Sequence, residues 1–557
     1  TGPLGQGVSN SVGMAIAAKW MGVTYNRPGL DLFEYDTYAL CSDGDLMEGV
    51  SNEAASLAGH MQLSNLCWIY DDNHITIEGS TQLTFTEDVA TRFLSYHWNV
   101  LRLGDANDIE QIDHALKVFR KTKDRPTLII LDSHIGYGSP HRQDTAAAHG
   151  EPLGPDEVRS VKRAYGWPED AQFLVPAGVR EHFADGIGIR GASARCAWTN
   201  LFAEYRSQYP ELAVQIEQMQ RRELPVGWDR DLPVFPVDPK GLAGREVSGK
   251  ALNVLAQNIP WLLGGSADLG SSNKTLLTYP GAEDIQVNTP GGKNLHFGIR
   301  EHAMCAIVNG LSLSKLRPYG ATFFIFSDYA RPAIRLSALM ELPTIFVFTH
   351  DAMGDGEDGP THQPVEQLAS LRAIPGLTLL RPGDANEVIE AYRVIMQLRH
   401  RPAVLVLSRQ ALPTLDRSKY APASGVACGA YIFADAPDGQ PEMILIATGS
   451  ELSLAVQAHE TLSSEGIRSR VVSMPSWDIF EHQTQEYRDN VLPPAVQARI
   501  AIEQASTFGW ERYVGNNGRI IGMQTFGASA PLKELQRKFG FEPERLVTMA
   551  KEMLRKT

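Results

Sequence analysis

Short apolar runs that stop at polar or glycine residues alternate with longer amphipathic stretches, and this alternation constrains the fold more than any other feature of the chain. The strand-like runs are residues 38–41, 66–70, 127–132, 343–350, 403–408, 443–448 and 499–503, and helix-like stretches such as 251–257 and 386–398 lie between them. The pattern predicts an α/β protein with mainly parallel sheets. In such sheets ligands gather beyond the carboxyl ends of the strands, which is where the unusual polar sequences of this chain stand.

At about 100–200 residues per domain, 557 residues predict three or four domains. Residues 223–240, with four prolines, and residues 412 to about 425 read as connections, which divides the chain into 1–235, 236–420 and 421–557. The formal charge of −14 argues against a nucleic-acid footprint, which needs a basic face. An anionic substrate would need a local basic cluster instead. The five cysteines are scattered and show no CxxC pair, so reduced thiols and a cytoplasmic location are expected. No apolar run reaches the roughly 18 residues of a membrane span. The opening TGPLGQG reads as a mid-domain loop. The chain is therefore expected to lack an N-terminal segment, as a fragment or as one half of a split protein completed by a separate chain.

A strand at 38–41 runs into Ser42-Asp43-Gly44-Asp45, and the next strand, 66–70, runs into Asp71-Asp72-Asn73-His74-Ile75. Asp43 and Asn73 thus stand at the ends of two strands of one βαβ unit. Magnesium takes six oxygens, commonly a carboxylate or two with substrate phosphates and water. Asp43, the Asn73 amide and the Ile75 carbonyl can supply three of them, and Gly44 allows a tight turn close to phosphates. An Asp-Gly turn followed by an Asp-Asn turn is also common in plain α/β loops. Further on, Glu301 opens a helix-like apolar stretch, where a buried carboxyl would have a raised pKa and could serve as an acid; pairing with Arg300 is the bland alternative. Phe323, Phe326 and Tyr329 follow, and their faces can stack on a heteroaromatic ring.

The segment 349–372 holds His350, His362 and four acids in its Gly-rich part. Ordering glycine is costly, so such a loop suits recognition of polyol hydroxyls better than structure alone, and a neutral histidine can shuttle protons. Arg245, Ser272 and Arg409 stand at element ends and are candidate phosphate ligands, since arginine holds phosphate with paired donors.

The strings TGPLGQG, SDGDLMEG, YDDNHITIEG, SHIGYGSP, AHGEPLG, GGSADL, GIREH, GEDGPTHQP and GMQTFGASAP together resemble the transketolase family from one end of the chain to the other. One departure is Ser42, where the family's thiamine-diphosphate signature usually has glycine. The resemblance implies three α/β domains: a diphosphate- and magnesium-binding domain with its linker, a pyrimidine-binding domain and a C-terminal domain. It implies a thiamine-diphosphate- and Mg2+-dependent transferase, with Ca2+ or Mn2+ as possible substitutes. That transferase would move two-carbon ketol units between sugar phosphates in the pentose phosphate pathway. It implies a homodimer whose active sites lie at the subunit interface, with no nucleic-acid or membrane partner. By resemblance Asp43, Asn73 and Ile75 hold the metal, and Gly2, Asp43, Gly44, Glu48, Asn73, Ile77 and His149 contact the diphosphate half of the coenzyme. Asp268, Glu301, Phe323, Phe326 and Tyr329 contact its pyrimidine. Arg245, Ser272, His350, Asp358, His362 and Arg409 bind substrate, and Glu301, His362 and His149 take part in catalysis. The family places further histidines ahead of TGPLGQG, and these are absent here. The competing readings are a non-catalytic or partner-dependent remnant, a dihydroxyacetone synthase and a deoxyxylulose-phosphate synthase.

Overall fold

The computed structural model describes residues 2–555 and divides into two compact units. One takes residues up to Gln218 together with Gln286–Gly292; the other takes Met219–Ile285 and the chain from Lys293 onward. In the first unit β1 (Thr37–Ser42), β2 (Leu66–Asp72), β3 (Asn99–Leu103) and β4 (Thr127–Asp132) form a parallel sheet in the order β1-β2-β4-β3. β2 is central, so both of its faces are covered and its sequence is a continuous apolar run rather than an alternating one. Trp68 packs on Trp98 at 4.8 Å and on Phe93 at 5.8 Å. Cys67 belongs to a second cluster with Leu103, Ala115, Phe119 and Ile129.

In the second unit the strands are β5 (Asp238–Ala243), β6 (Leu262–Ser266), β7 (Asn294–His296), β8 (Arg317–Phe323), β9 (Ile345–Thr349), β10 (Thr378–Leu380), β11 (Ala403–Leu407) and β12 (Ala411–Thr414). They are followed by β13 (Tyr431–Ala434), β14 (Met443–Ala447), β15 (Ser469–Ser473), β16 (Arg499–Ser506) and β17 (Arg519–Met523). Six of them make an all-parallel sheet in the order β10-β11-β9-β8-β6-β7. Because all six run the same way, the segments that follow β6, β7, β8, β9 and β11 leave from one edge. A five-stranded sheet, β13-β15-β14-β16-β17, is parallel except for its edge strand β13. The expected mainly parallel α/β class is thus what the chain adopts.

The two stretches read as connections do not simply run free. Their ends pair, β5 with β12, in an antiparallel ribbon that sets Ala411 opposite Ala243 and Thr414 opposite Asp238. Gly241 is what permits the approach: it has φ +60, and a Cβ there would lie 1.6 Å from the Leu412 carbonyl oxygen. No helix among the described residues is long and apolar enough to cross a membrane, and all five cysteines are free.

A buried ionic network joins the six-stranded sheet to the five-stranded one. Arg381, just past β10, is fully buried; its Nε donates to Asp351 Oδ2 at 2.9 Å and its Nη1 to Glu451 Oε2 at 2.5 Å and to Thr448 Oγ1 at 2.8 Å. Arg372 grips Glu503 with two bonds of 2.7 and 2.8 Å and lies 4.0 Å over the Trp477 ring. Glu503 also accepts from Trp510 Nε1 and Thr448 Oγ1. Burial alone would raise the Glu503 pKa, but the guanidinium groups of Arg372 and Arg381 overcome it and hold the carboxyl at about 2. Removing one partner of such a set strands the others without compensation. Arg381→Met is therefore expected to cost about 3–5 kcal/mol, measured as a lower midpoint in denaturant unfolding; an unchanged midpoint would show that the network does not bind the two sheets together.

Candidate active site

At the carboxyl edge of the first unit's sheet, Asp43 opens a short helix, Asp43–Met47, directly after β1. Only 2% of it is exposed, and its Oδ2 is buried without a hydrogen-bond partner. Its Oδ1 lies 2.6 Å from the Tyr70 hydroxyl, which is also 2.9 Å from Asp72 Oδ1. A phenol has one proton, so it cannot serve both carboxylates at once. Burial pushes the Asp43 pKa up, and the Tyr70 hydrogen bond offsets this only in part. An orphaned buried carboxylate oxygen, set among oxygen donors and short of protons, fits a hard divalent cation. Asp72 and Asp132, partners in register, share Arg102 at 3.3 Å each, and His74 Nδ1 is 3.1 Å from Asp72. Asp43, Tyr70, Asp72, His74 and Arg102 line a cleft of about 560 Å³.

The other expected ligands are placed less directly. Asn73 and Ile75 follow β2, but they are not among the residues lining that cleft, and the Asn73 amide oxygen accepts from Ile75 N at 3.1 Å within its own turn. A Cβ at Gly44 would lie 2.7 Å from Leu4, so that glycine makes room for the opening loop. Gly2, Glu48, Ile77 and His149 are exposed. Sequence reasoning missed Tyr70, Asp72, Arg102 and Asp132. The i, i+2 spacing of residues 70 and 72 puts them on one face of a strand, but only the register brings Asp132 beside them.

In the second unit the six-stranded sheet gathers the remaining candidates at one edge. Glu301, half-buried, is the first residue of the helix Glu301–Leu313; burial raises its pKa, and Thr322 Oγ1 donates to it at 3.3 Å. Phe323 stacks on Phe326 at 6.1 Å, Phe326 is 6.3 Å from Tyr329, and the His362 ring is 5.9 Å from Phe326. The His350 ring lies 3.7 Å from that of Phe323. A raised-pKa carboxyl near two partly buried phenylalanine rings and the exposed Tyr329 fits the pyrimidine end of the coenzyme. Arg245 Nη1 donates to the Ser272 carbonyl at 2.9 Å and to its hydroxyl at 3.1 Å, and Arg409, beyond β11, lies 3.4 Å from Asp355. Asp268 and Asp358 are exposed.

His350 and Asp268 sit in the left-handed region at φ +65 and +61, which non-glycine residues seldom adopt and which clusters at functional sites. A buried chain holds His350 there: Ser266 Oγ donates to Asn273 Oδ1, Asn273 Nδ2 donates to Thr349 Oγ1, and Thr349 Oγ1 lies 2.7 Å from His350 Nδ1. The chain is satisfied when Thr349 donates to Nδ1, which leaves the proton on Nε2. Burial, with Arg245, Arg409 and His362 nearby, lowers the His350 pKa to about 3, so the ring is neutral. The Gly-rich loop is tied from the far side, where Gln363 donates to Gly356 O at 2.9 Å and Ala528 O at 3.0 Å and accepts from Ala528 N at 3.2 Å. A Cβ at Gly527 would lie 1.8 Å from the Gln363 amide oxygen, which explains the second glycine in GMQTFGASAP. Gln363 escaped notice because nothing in a lone glutamine announces a clamp.

Three family models match the chain in succession. They are the thiamine diphosphate binding domain of transketolase over residues 1–225, its pyrimidine binding domain over 240–414, and a transketolase-like C-terminal domain over 429–542. Among curated relatives, the transketolase of Geobacillus stearothermophilus is 48% identical over 557 residues, spanning all of this chain and 83% of its own length. That of Bacillus subtilis is 47% identical, with 100% and 83% covered. The solved structure of transketolase from Leishmania mexicana superposes with a TM-score of 0.95 at 41% identity, covering all of this chain and 81% of that one. A Pichia stipitis transketolase in complex with sedoheptulose 7-phosphate does so at 0.94 and 40%, with 100% and 81% covered. The chain belongs to the transketolase family of thiamine-diphosphate-dependent transferases.

Proposed function

We propose that the chain reversibly transfers a two-carbon ketol unit from a ketose phosphate such as xylulose 5-phosphate to an aldose phosphate such as ribose 5-phosphate. The observation that carries this reading is the grouping, at one sheet edge, of the Glu301 carboxyl and the Phe323–Phe326 rings with His350, Arg245 and Arg409. Bound thiamine diphosphate would supply a carbon nucleophile and an electron sink. Asp43, with the Asn73 amide and the Ile75 carbonyl, would hold the divalent cation; Gly2, Gly44, Glu48, Ile77 and His149 are proposed coenzyme contacts on the strength of the resemblance. Burial favours the protonated form of Glu301, which can then donate a hydrogen bond to a ring nitrogen. Phe323, Phe326 and Tyr329 would cover that ring, with Asp268 accepting hydrogen bonds at its rim.

Arg245, Ser272 and Arg409 would hold the substrate phosphate. Neutral His350 can donate from Nε2 to a sugar hydroxyl, and Asp358 can accept from one. His362, against Phe326, would take the hydroxyl proton whose loss lets the carbon–carbon bond break, then return a proton to the new hydroxyl. Chemistry on sugar phosphates and five free cysteines suit the cytoplasm and the pentose phosphate pathway. A homodimer is supported by apolar side chains left open in the first unit, where Phe173, Val175, Phe183 and Ile187 are all more than half exposed.

Glu301→Gln is expected to slow transfer from xylulose 5-phosphate to ribose 5-phosphate by roughly 10²–10⁴-fold; a variant with the parent's rate would remove Glu301 from the chemistry. Asp43→Asn should weaken Mg2+-dependent thiamine diphosphate binding, followed by calorimetry, by at least roughly tenfold, the loss typical of disturbing a metal site. Equal binding by both proteins would move the cation elsewhere. Sedimentation equilibrium at micromolar concentration is expected to give twice the chain mass, and a monomer would overturn the dimer.

A further inference from the structure

Asp355 has no role in the mechanism above, yet it stands among the groups proposed to hold the phosphate. Its side chain is fully buried, and neither oxygen has a hydrogen-bond partner. Oδ1 lies 3.4 Å from Arg409 Nε, a charge contact without hydrogen-bond geometry, and 3.5 Å from Nε2 of the neutral His350 ring. A buried carboxylate with no donor is costly, so a structure that keeps one at a ligand site needs a reason. Gly354 and Gly356 flank it, and a Cβ on Gly354 would meet the Gln410 amide at 2.0 Å, so the loop is closely packed around the group.

We propose that Asp355 is a specificity-determining residue of the phosphate site, an internal counter-ion to Arg409 that an incoming substrate phosphate must displace. The inference rests on the reading of Arg245 and Arg409 as phosphate ligands. Free of substrate, the carboxylate partly neutralises the two guanidinium groups and keeps other anions from settling there. With a phosphate bound, two anions face the same arginines, and the arrangement is relieved when Asp355 takes a proton. Burial already raises its pKa to about 7; Arg409 and Arg245 oppose this, and Asp358 and Asp351 reinforce it. His350 faces it as a neutral ring. The helix Leu532–Phe539, which packs on the same loop, carries Lys533, Glu534, Arg537 and Lys538. The carboxylate therefore lowers affinity for phosphorylated sugars more as pH rises, and it leaves unphosphorylated sugars untouched.

The test uses the full chain loaded with thiamine diphosphate and Mg2+, with xylulose 5-phosphate and xylulose as donors. Asp355→Asn and Asp355→Ser are expected to lower KM for xylulose 5-phosphate roughly tenfold at pH 8, the scale of one like charge removed from a partly screened site, with KM for xylulose unchanged. Arg409→Ala should raise KM for the phosphorylated donor alone. Calorimetry of inorganic phosphate binding at pH 8, in buffers of different ionisation enthalpy, should show proton uptake by the unmodified protein and less by Asp355→Asn. If Arg409→Ala discriminates between the donors while the Asp355 variants do not, or if the unmodified protein takes up no proton, the counter-ion role is overturned and the phosphate site stands. If Arg409→Ala affects both donors equally, the phosphate site itself is wrong and the inference falls with it.

Discussion

Arg381 is the interaction on which the second unit depends. It is fully buried, and it ties Asp351, just past β9 of one sheet, to Glu451, just past β14 of the other, and through Thr448 to Glu503 in β16. Charges placed there tolerate little movement, because any separation leaves one of them desolvated and alone. That rigidity passes directly to the candidate site, since Asp351 is the residue after His350. The guanidinium fixes the backbone just beyond the histidine, the Ser266–Asn273–Thr349 chain fixes its ring, and between them His350 keeps φ +65.

Parallel strand order does the rest. A mixed sheet would scatter the ends of β6, β7, β8, β9 and β11 over two edges. An all-parallel one delivers Asp268, Ser272, Glu301, Phe323, His350 and Arg409 to the same edge from segments up to about 140 residues apart in sequence. Their electrostatics follow from that crowding. Two arginines and burial keep His350 neutral, and the same burial raises Glu301 and Asp355. A neutral imidazole and protonatable carboxyls are what proton transfer to and from sugar hydroxyls requires.

The class of fold was legible because buried parallel strands are short, apolar and punctuated, and the runs read at 66–70, 343–350 and 443–448 needed no partner to declare themselves. The candidate site was legible where a residue type and its position at a strand end agreed, as for Asp43, Glu301, His350 and Arg409. What escaped was set by pairing. Asp132 meets Asp72 only through the β2–β4 register, and the prolines at 223–240 gave no sign that β5 would find β12. Asp355 escaped for another reason. In a Gly-rich acidic loop it reads as one more solvated carboxylate, and only burial separates it from exposed Asp358 three residues away.

The tie between Gln363 and Ala528 makes the C-terminal sheet a source of order rather than of contacts. None of the candidate site residues lies beyond Arg409, yet the loop bearing Asp355 and Asp358 is fastened at Gly356 to a segment more than 160 residues away. Fixing each residue of a free loop costs about 1–2 kcal/mol in entropy. A chain shorn of its last domain would keep every side chain proposed to touch substrate and would still bind weakly, because each binding event would then have to freeze the loop.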